Sequence, residues 1–350
     1  MRNPWHSLRE VAPSLDDDMM GFTPVPKATV DWKDDYNWSP DRPVVRTPRA
    51  AMIHAIGAAG LCGDRIADRT KAHAEKEWDR IRKRPPTSSE GLIKAVGSAT
   101  RRLQARARRL DDDDLTRTVD LWGVDAPLLL VLFDGGLLHT AWHLGQVSLM
   151  AHWHKARNQA NLTAAAGKAP KPPKYPGRRS WAPREMSSPT EMCLHLLHAA
   201  YEESPWHSLK LMLKGVTKDE MNWHPYPWGL GVDAPIYASM VHAARSKVVD
   251  GETTFGKGDL EDAQPVLGEK WWDTNKPAPL LKALDLAHEY LMELVEKFPE
   301  GEWREHRPVR FTRQPRPWKA ISTLATLDSF LGGRISLVRD AYTLVASGAA

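Results

Sequence analysis

The chain has 350 residues, of which 42% are hydrophobic and 26% charged, with a formal net charge of +4. That balance fits a globular protein of about two domains and excludes a collagen-like chain or a solvated tail. The longest apolar run, Ala126 to Phe133, is too short to span a bilayer, and the start Met1-Arg2-Asn3-Pro4-Trp5-His6 has no apolar signal core. Two cysteines, Cys62 and Cys193, exclude a disulfide framework and a cysteine-rich zinc site. The expectation is a soluble cytoplasmic protein with no membrane association. The conspicuous count is 15 Trp against 7 Tyr and 6 Phe.

In chain order, Ala50 to Ile66 predicts a helix, and Glu90 to Leu110 predicts another. Four aspartates, Asp111 to Asp114, follow. Acids oppose the negative C-terminal end of a helix, so they are expected in a solvated turn that opens the next element. Pro127 to Gln159 predicts a long helix. From Lys155 to Arg184 there are eight Lys or Arg residues and no acid, and prolines at 170, 172, 173 and 176 forbid a helix there. A solvated basic linker is expected over 161–188; aromatic residues are too sparse in it to favour nucleic acid. Beyond it, Glu191 to Leu213 has helical spacing interrupted at Pro205, and Pro279 to Phe298 carries one clean apolar stripe. No period-2 strand stands out.

The chain repeats itself. Ala50-Ala51-Met52-Ile53-His54-Ala55 returns as Ala238-Ser239-Met240-Val241-His242-Ala243. Leu92-Ile93-Lys94-Ala95 returns as Leu280-Leu281-Lys282-Ala283, and Gly145-Gln146-Val147-Ser148-Leu149 as Gly333-Arg334-Ile335-Ser336-Leu337. These three pairs share one and the same offset along the chain. A fourth pair, Pro4-Trp5-His6-Ser7-Leu8 and Pro205-Trp206-His207-Ser208-Leu209, has a somewhat longer one. The expectation is an all-α chain of two tandem up-and-down four-helix bundles, 1–160 and 189–350, arranged as a pseudo-dimer. The first copy has a shortened first helix.

Fourteen histidines are present. His139 and His143 lie four apart, which puts two imidazoles on one helix face, and His54 lies near the start of the preceding alanine-rich helix. Three imidazoles from two helices would leave positions open on Zn²⁺, Ni²⁺ or Fe²⁺, as a catalytic metal requires. Residue 140 is Thr, which excludes the metalloprotease H-E-x-x-H pattern. On spacing alone the pair suits a metal site or an ordinary surface or core pair equally.

The run His139-Thr140-Ala141-Trp142-His143-Leu144-Gly145-Gln146-Val147 resembles the fourth-helix signature of the DinB-like (DNA-damage-inducible) four-helix-bundle superfamily. Met52-Ile53-His54 resembles the position of that family's first ligand, and Pro205 to Pro225 its first helix and following turn. The resemblance covers both halves apart from the linker. It implies a divalent metal on His54, His139 and His143. It also implies transferase or isomerase chemistry with a low-molecular-weight thiol such as bacillithiol, mycothiol or glutathione, or hydrolysis, on an electrophilic small molecule. The alternative is a non-catalytic metal- or ligand-binding regulatory module.

At the same offset in the second copy, His242 matches His54, but Leu327 and Leu331 replace His139 and His143. That copy is expected to be a structural or pocket-closing partner; His288 could in principle join His242, but two ligands without a third rarely suffice. Bland uses are expected elsewhere: a polar helix face for Glu191, His195, His198 and Glu202, and structural packing for His6 and His207. Dipole-stabilised ends suit His152 and His154, and a solvated face suits Arg101, Arg102, Arg106, Arg108 and Arg109. Cys62 is expected as a small core residue, and Trp142 as packing. No general base stands out.

Overall fold

The computed structural model describes residues 11, 15–25, 27, 29–30, 44–67, 81, 83–121, 124–157, 161–162, 164–165, 167–168, 188–204, 207–226, 236–258, 268, 276–305 and 316–349. Pro4 to Leu8 and most of the basic linker lie outside them. The described residues are about 74% helical, which bears out the all-α class.

Several helices start where the sequence supplies a side-chain cap. In the first half, α1 (Asp17–Met20) precedes α2 (Pro48–Ile66), which opens with Thr47 Oγ1 accepting from the Ala50 amide and with Pro48 at its first position. Proline costs nothing there because that amide has no helical partner. Next comes α3 (Ser89–Ala107), capped by Ser88. The aspartate run forms α4 (Asp112–Thr116), with Asp111 and Asp114 in a reciprocal capping box, so the acids sit at the end of the helix that favours negative charge.

Strands do occur, contrary to the sequence expectation. β1 (Thr29–Val30) pairs in parallel with β2 (Val45–Arg46), and β3 (Thr118–Leu121) pairs antiparallel with β4 (Val124–Pro127). Strands this short cannot display a period-2 pattern against the surrounding loop chemistry.

The long helix expected over 127–159 has three parts. α5 (Leu128–Leu130) runs into a π-helical stretch, Val131–Leu138, and then into α6 (His139–Arg157). This segment is apolar and long enough to cross a membrane, yet 78% of its most apolar window is buried inside the protein. It is the core helix of the first half.

In the second half, α7 (Pro189–His198) continues into a π stretch, Ala199–Glu203, and ends at Ser204 before a new helix, α8 (Leu209–Leu213). The break expected at Pro205 is therefore present. Then come α9 (Lys218–Asn222), α10 (Ile236–Phe255), α11 (Pro277–Glu296) and the long α12 (Pro317–Ala346).

α2 packs on α3 and α6, while α10 packs on α11 and α12, and α7 on α11 and α12. The two halves meet where α6 crosses α12. The crossing is reciprocal: a Cβ on Gly145 would run into the carbonyl oxygen of Phe330, and a Cβ on Gly333 into that of Trp142. Gly145 and Gly333 lie as far apart in the chain as Trp142 and Phe330 do. Only glycine permits two backbones this close. Ser329 Oγ adds a hydrogen bond across the crossing to the Leu138 carbonyl at 2.7 Å. The largest apolar cluster runs through both halves, from Met52 and Val147 to Leu327 and Leu337, so the halves share one core. Trp142, Trp153, Trp223 and Trp303 are buried, and Trp318 is exposed.

Candidate metal centre

α2 packs against α6, and His54 in its second turn faces the start of α6. His139 and His143 project from that start. The three can hold a metal ion: each offers a ring nitrogen, and these atoms lie within 4.8 Å of one another. Their ring centroids are 4.7–5.1 Å apart. Among the described residues this is the one such group of His, Cys, Asp or Glu.

His139 and His143 are buried, and His54 is partly exposed. Burial pushes the pKa of both His139 and His143 well down, and the neighbouring imidazoles push the same way. Arg46, buried at the end of β2, adds its positive charge to that effect on both. Neutral imidazole is the form that coordinates a metal. The donor set thus fits a borderline divalent ion such as zinc, nickel or iron(II), and it offers neither the carboxylates of a calcium site nor thiolates.

Residues outside the three donors hold them in place. Nδ1 of His143 bonds Oε1 of Gln146 at 2.9 Å. Nδ1 of His139 bonds Nε2 of His207 at 2.9 Å, and Nδ1 of His207 bonds Oδ1 of Asp134 at 3.0 Å. Ser204 Oγ donates to the same Asp134 oxygen at 2.7 Å and accepts from the His207 amide at 3.0 Å. Asp134 lies in the π stretch just before α6, and its side chain is fully buried. A π turn shifts the register of the helix, and such turns concentrate at functional sites.

The expectation that His207 is merely structural is therefore incomplete. It packs edge-on against Trp142 at 5.6 Å, and it also bonds a candidate ligand. Asp134, Gln146, Ser204 and Arg46 were not legible as site residues either. Gln146 sits three positions after His143, which was the one local signal available.

Other expectations resolve as follows. Trp142 packs, with its ring against Gly332. His242 is exposed and His288 is buried against the Tyr201 ring at 4.1 Å, and neither belongs to a group of three or more possible donors among the described residues. His195 is buried, unlike a solvated polar face, and lies with His198 near Glu203 at 3.8 and 3.6 Å. His154 bonds Asp18 at 3.0 Å. Arg106 reaches Asp64 at 3.2 Å, while Arg101, Arg102, Arg108 and Arg109 are exposed as expected. Cys62 is fully buried, its thiol donating to the Val131 carbonyl, and burial pushes its pKa up to about 12. A reactive thiolate there is excluded.

No family model, curated protein or solved structure matches the chain.

Proposed function

We propose that the chain is a metal-dependent enzyme of the DinB-like type, acting on an electrophilic small molecule with a thiol or water as nucleophile. The observation that carries the reading is the cluster of His54, His139 and His143, two of them buried, with ring nitrogens within 4.8 Å and no protein carboxylate or thiolate among them. A divalent cation bound there supplies Lewis acidity, which lowers the pKa of a thiol or water and so generates a nucleophile at neutral pH. The protein's own contribution is positional. α2 and α6 bring three imidazoles together, and Gln146 orients His143. Arg46 sets a guanidinium beside the cluster, where it favours an anionic nucleophile or a carboxylate on the incoming molecule.

The second half is read as a degenerate copy of the first, the two forming a pseudo-dimer fused in one chain. The offset common to three repeat pairs and the reciprocal glycine crossing of α6 and α12 support this, since a two-fold interface uses the same patch from both partners. The burial of the apolar Leu128–Arg157 segment favours a soluble protein.

The test is elemental analysis of protein purified without a metal-affinity tag, followed by turnover assays with a panel of thiols. About one equivalent of a transition metal, lost in His139→Ala, is expected. Less than about a tenth of an equivalent in the wild type would overturn the reading. Metal bound without turnover on any thiol or with water would leave a non-catalytic binding module as the better account.

A further inference from the structure

The buried chain that runs from Asp134 through His207 to His139 has a fixed direction. Asp134 Oδ1 accepts two hydrogen bonds, one from Ser204 Oγ–H and one from His207 Nδ1–H. A neutral imidazole carries one hydrogen, so a proton on Nδ1 of His207 leaves its Nε2 as an acceptor. That nitrogen faces Nδ1 of His139 at 2.9 Å, and Nδ1 of His139 must then be the donor. The remaining nitrogen of His139, Nε2, is left with its lone pair. His143 reaches the same state by a separate route, since Nδ1 donates to the amide oxygen of Gln146. Both α6 histidines thereby present the same nitrogen to the cluster.

The members of this relay are all buried: Asp134 at 0%, Ser204 at 0%, His207 at 4% and His139 at 6% exposure. Water cannot readily substitute for a missing link. The path also crosses between halves twice. Asp134 and His139 belong to the first half, whereas Ser204 and His207 come from the segment that joins the second-half π stretch to α8. The imidazole of His207 is wedged between two first-half groups, and the Trp142 edge packs against it.

We propose that His207, oriented by Asp134 and Ser204, is a positioning residue that selects Nε2 of His139 as the coordinating atom. The metal centre is then completed by the second half, although that half contributes no ligand. This rests on the metal reading above. Ligating histidines characteristically donate their second nitrogen to an outer partner, and loss of such a partner weakens metal binding about 10- to 100-fold. Here the outer partner is itself an imidazole, so its direction depends on the carboxylate beyond it. Asp134→Asn would keep the shape but offer an N–H as well as an oxygen. An Asn N–H donating to Nδ1 of His207 would reverse both imidazoles and leave a proton on Nε2 of His139.

The experiment uses the full chain in two forms. Selective ¹⁵N-histidine labelling of the metal-free protein reads the tautomers directly by long-range ¹H–¹⁵N correlation. The wild type is expected to show His139, His143 and His207 protonated on Nδ1, with the His139 pattern altered in Asp134→Asn. Competition with a chromogenic chelator then measures Zn²⁺ and Co²⁺ affinity, alongside the Co²⁺ electronic spectrum. Asp134→Asn and His207→Phe should weaken both affinities about 10- to 100-fold and shift the Co²⁺ bands. His207→Gln, whose amide can accept from His139 and donate to Asp134, should recover most of the loss. Circular dichroism identifies any variant that has failed to fold, and the Asn and Gln variants carry the test if His207→Phe does so.

A wild-type His139 protonated on Nε2 in the metal-free protein would overturn the proposal. So would full metal affinity and an unchanged spectrum in folded Asp134→Asn, with affinity lost in His139→Ala; the metal centre would then stand without its outer partner. A wild type that binds neither ion overturns the metal reading itself, and the tautomer spectrum still reports on the relay.

Discussion

At the start of α6, His139 and His143 meet His54, whereas Leu327 and Leu331, at the same offset along the chain, stand on α12 buried to 3% and 1% exposure. Beside those leucines the second half has built a different polar centre. Lys247 of α10 bonds Asp328 of α12, both about 1% exposed, and the Lys247 ammonium lies 5.0 Å from the Tyr201 ring centroid. The Tyr201 hydroxyl donates to Asp285 at 2.6 Å, and His288 stacks on its ring. Gln146, which holds His143, corresponds to Arg334, whose charge adds to desolvation in depressing the pKa of His242. The lesson is that a helical scaffold tolerates buried polar groups in two ways. One half gathers imidazoles that could hold a cation from outside, and the other pairs a lysine with an aspartate.

That contrast can be broken at the ion pair first. Burial pushes Lys247 down and Asp328 up, and the charge of each opposes that shift in the other. Lys247→Met strands a carboxylate in the core and is expected to cost about 3–5 kcal/mol in urea denaturation. The double variant with Asp328→Leu should recover most of this, because an apolar pair needs no compensation. A double variant as unstable as the single one would show that the pair does more than neutralise itself.

The shared crossing comes next. Gly145→Ala and Gly333→Ala each drive a methyl into the partner helix's backbone, and each should cost about 3 kcal/mol. Equal losses are expected if the interface is two-fold in character; a loss at one glycine alone would break that symmetry.

A smaller effect in the second half is read by pH. Burial, followed by the Lys247 charge, drives the His288 pKa down to about 2. The unfolded chain, with histidine near 6.5, then binds more protons than the folded one between those values, so stability falls as pH drops through that window. The slope from this group reaches at most about 1.4 kcal/mol per pH unit. His288→Phe should flatten the profile by about that amount, and an unchanged slope would place the acid sensitivity elsewhere.

The smallest effect is expected on the exposed arginines of α3. Arg101→Ala and Arg102→Ala should change stability by less than about 0.5 kcal/mol.

Much of the scaffold was legible beforehand because it rests on local signals. The alanine-rich stretch of α2, the apolar stripe of α11 and the aspartates that open α4 all declare themselves within a short stretch of chain. The candidate ligands were legible for the same reason, as two of them are one helical turn apart. What escaped is what depends on long-range packing. Asp134 meets Ser204 and His207 across 70 and 73 residues, and nothing near Asp134 announces that contact. The Lys247–Asp328 pair is separated by 81 residues. The short strand pairs lacked the length to show a period.

The account stands most directly on metal content. Wild-type protein, purified without an affinity tag and analysed beside His139→Ala and Leu327→Ala, is predicted to carry about one equivalent of a transition metal. That equivalent should vanish in His139→Ala and persist in Leu327→Ala. Wild-type protein with less than about a tenth of an equivalent, or metal retained in full by His139→Ala, would contradict it.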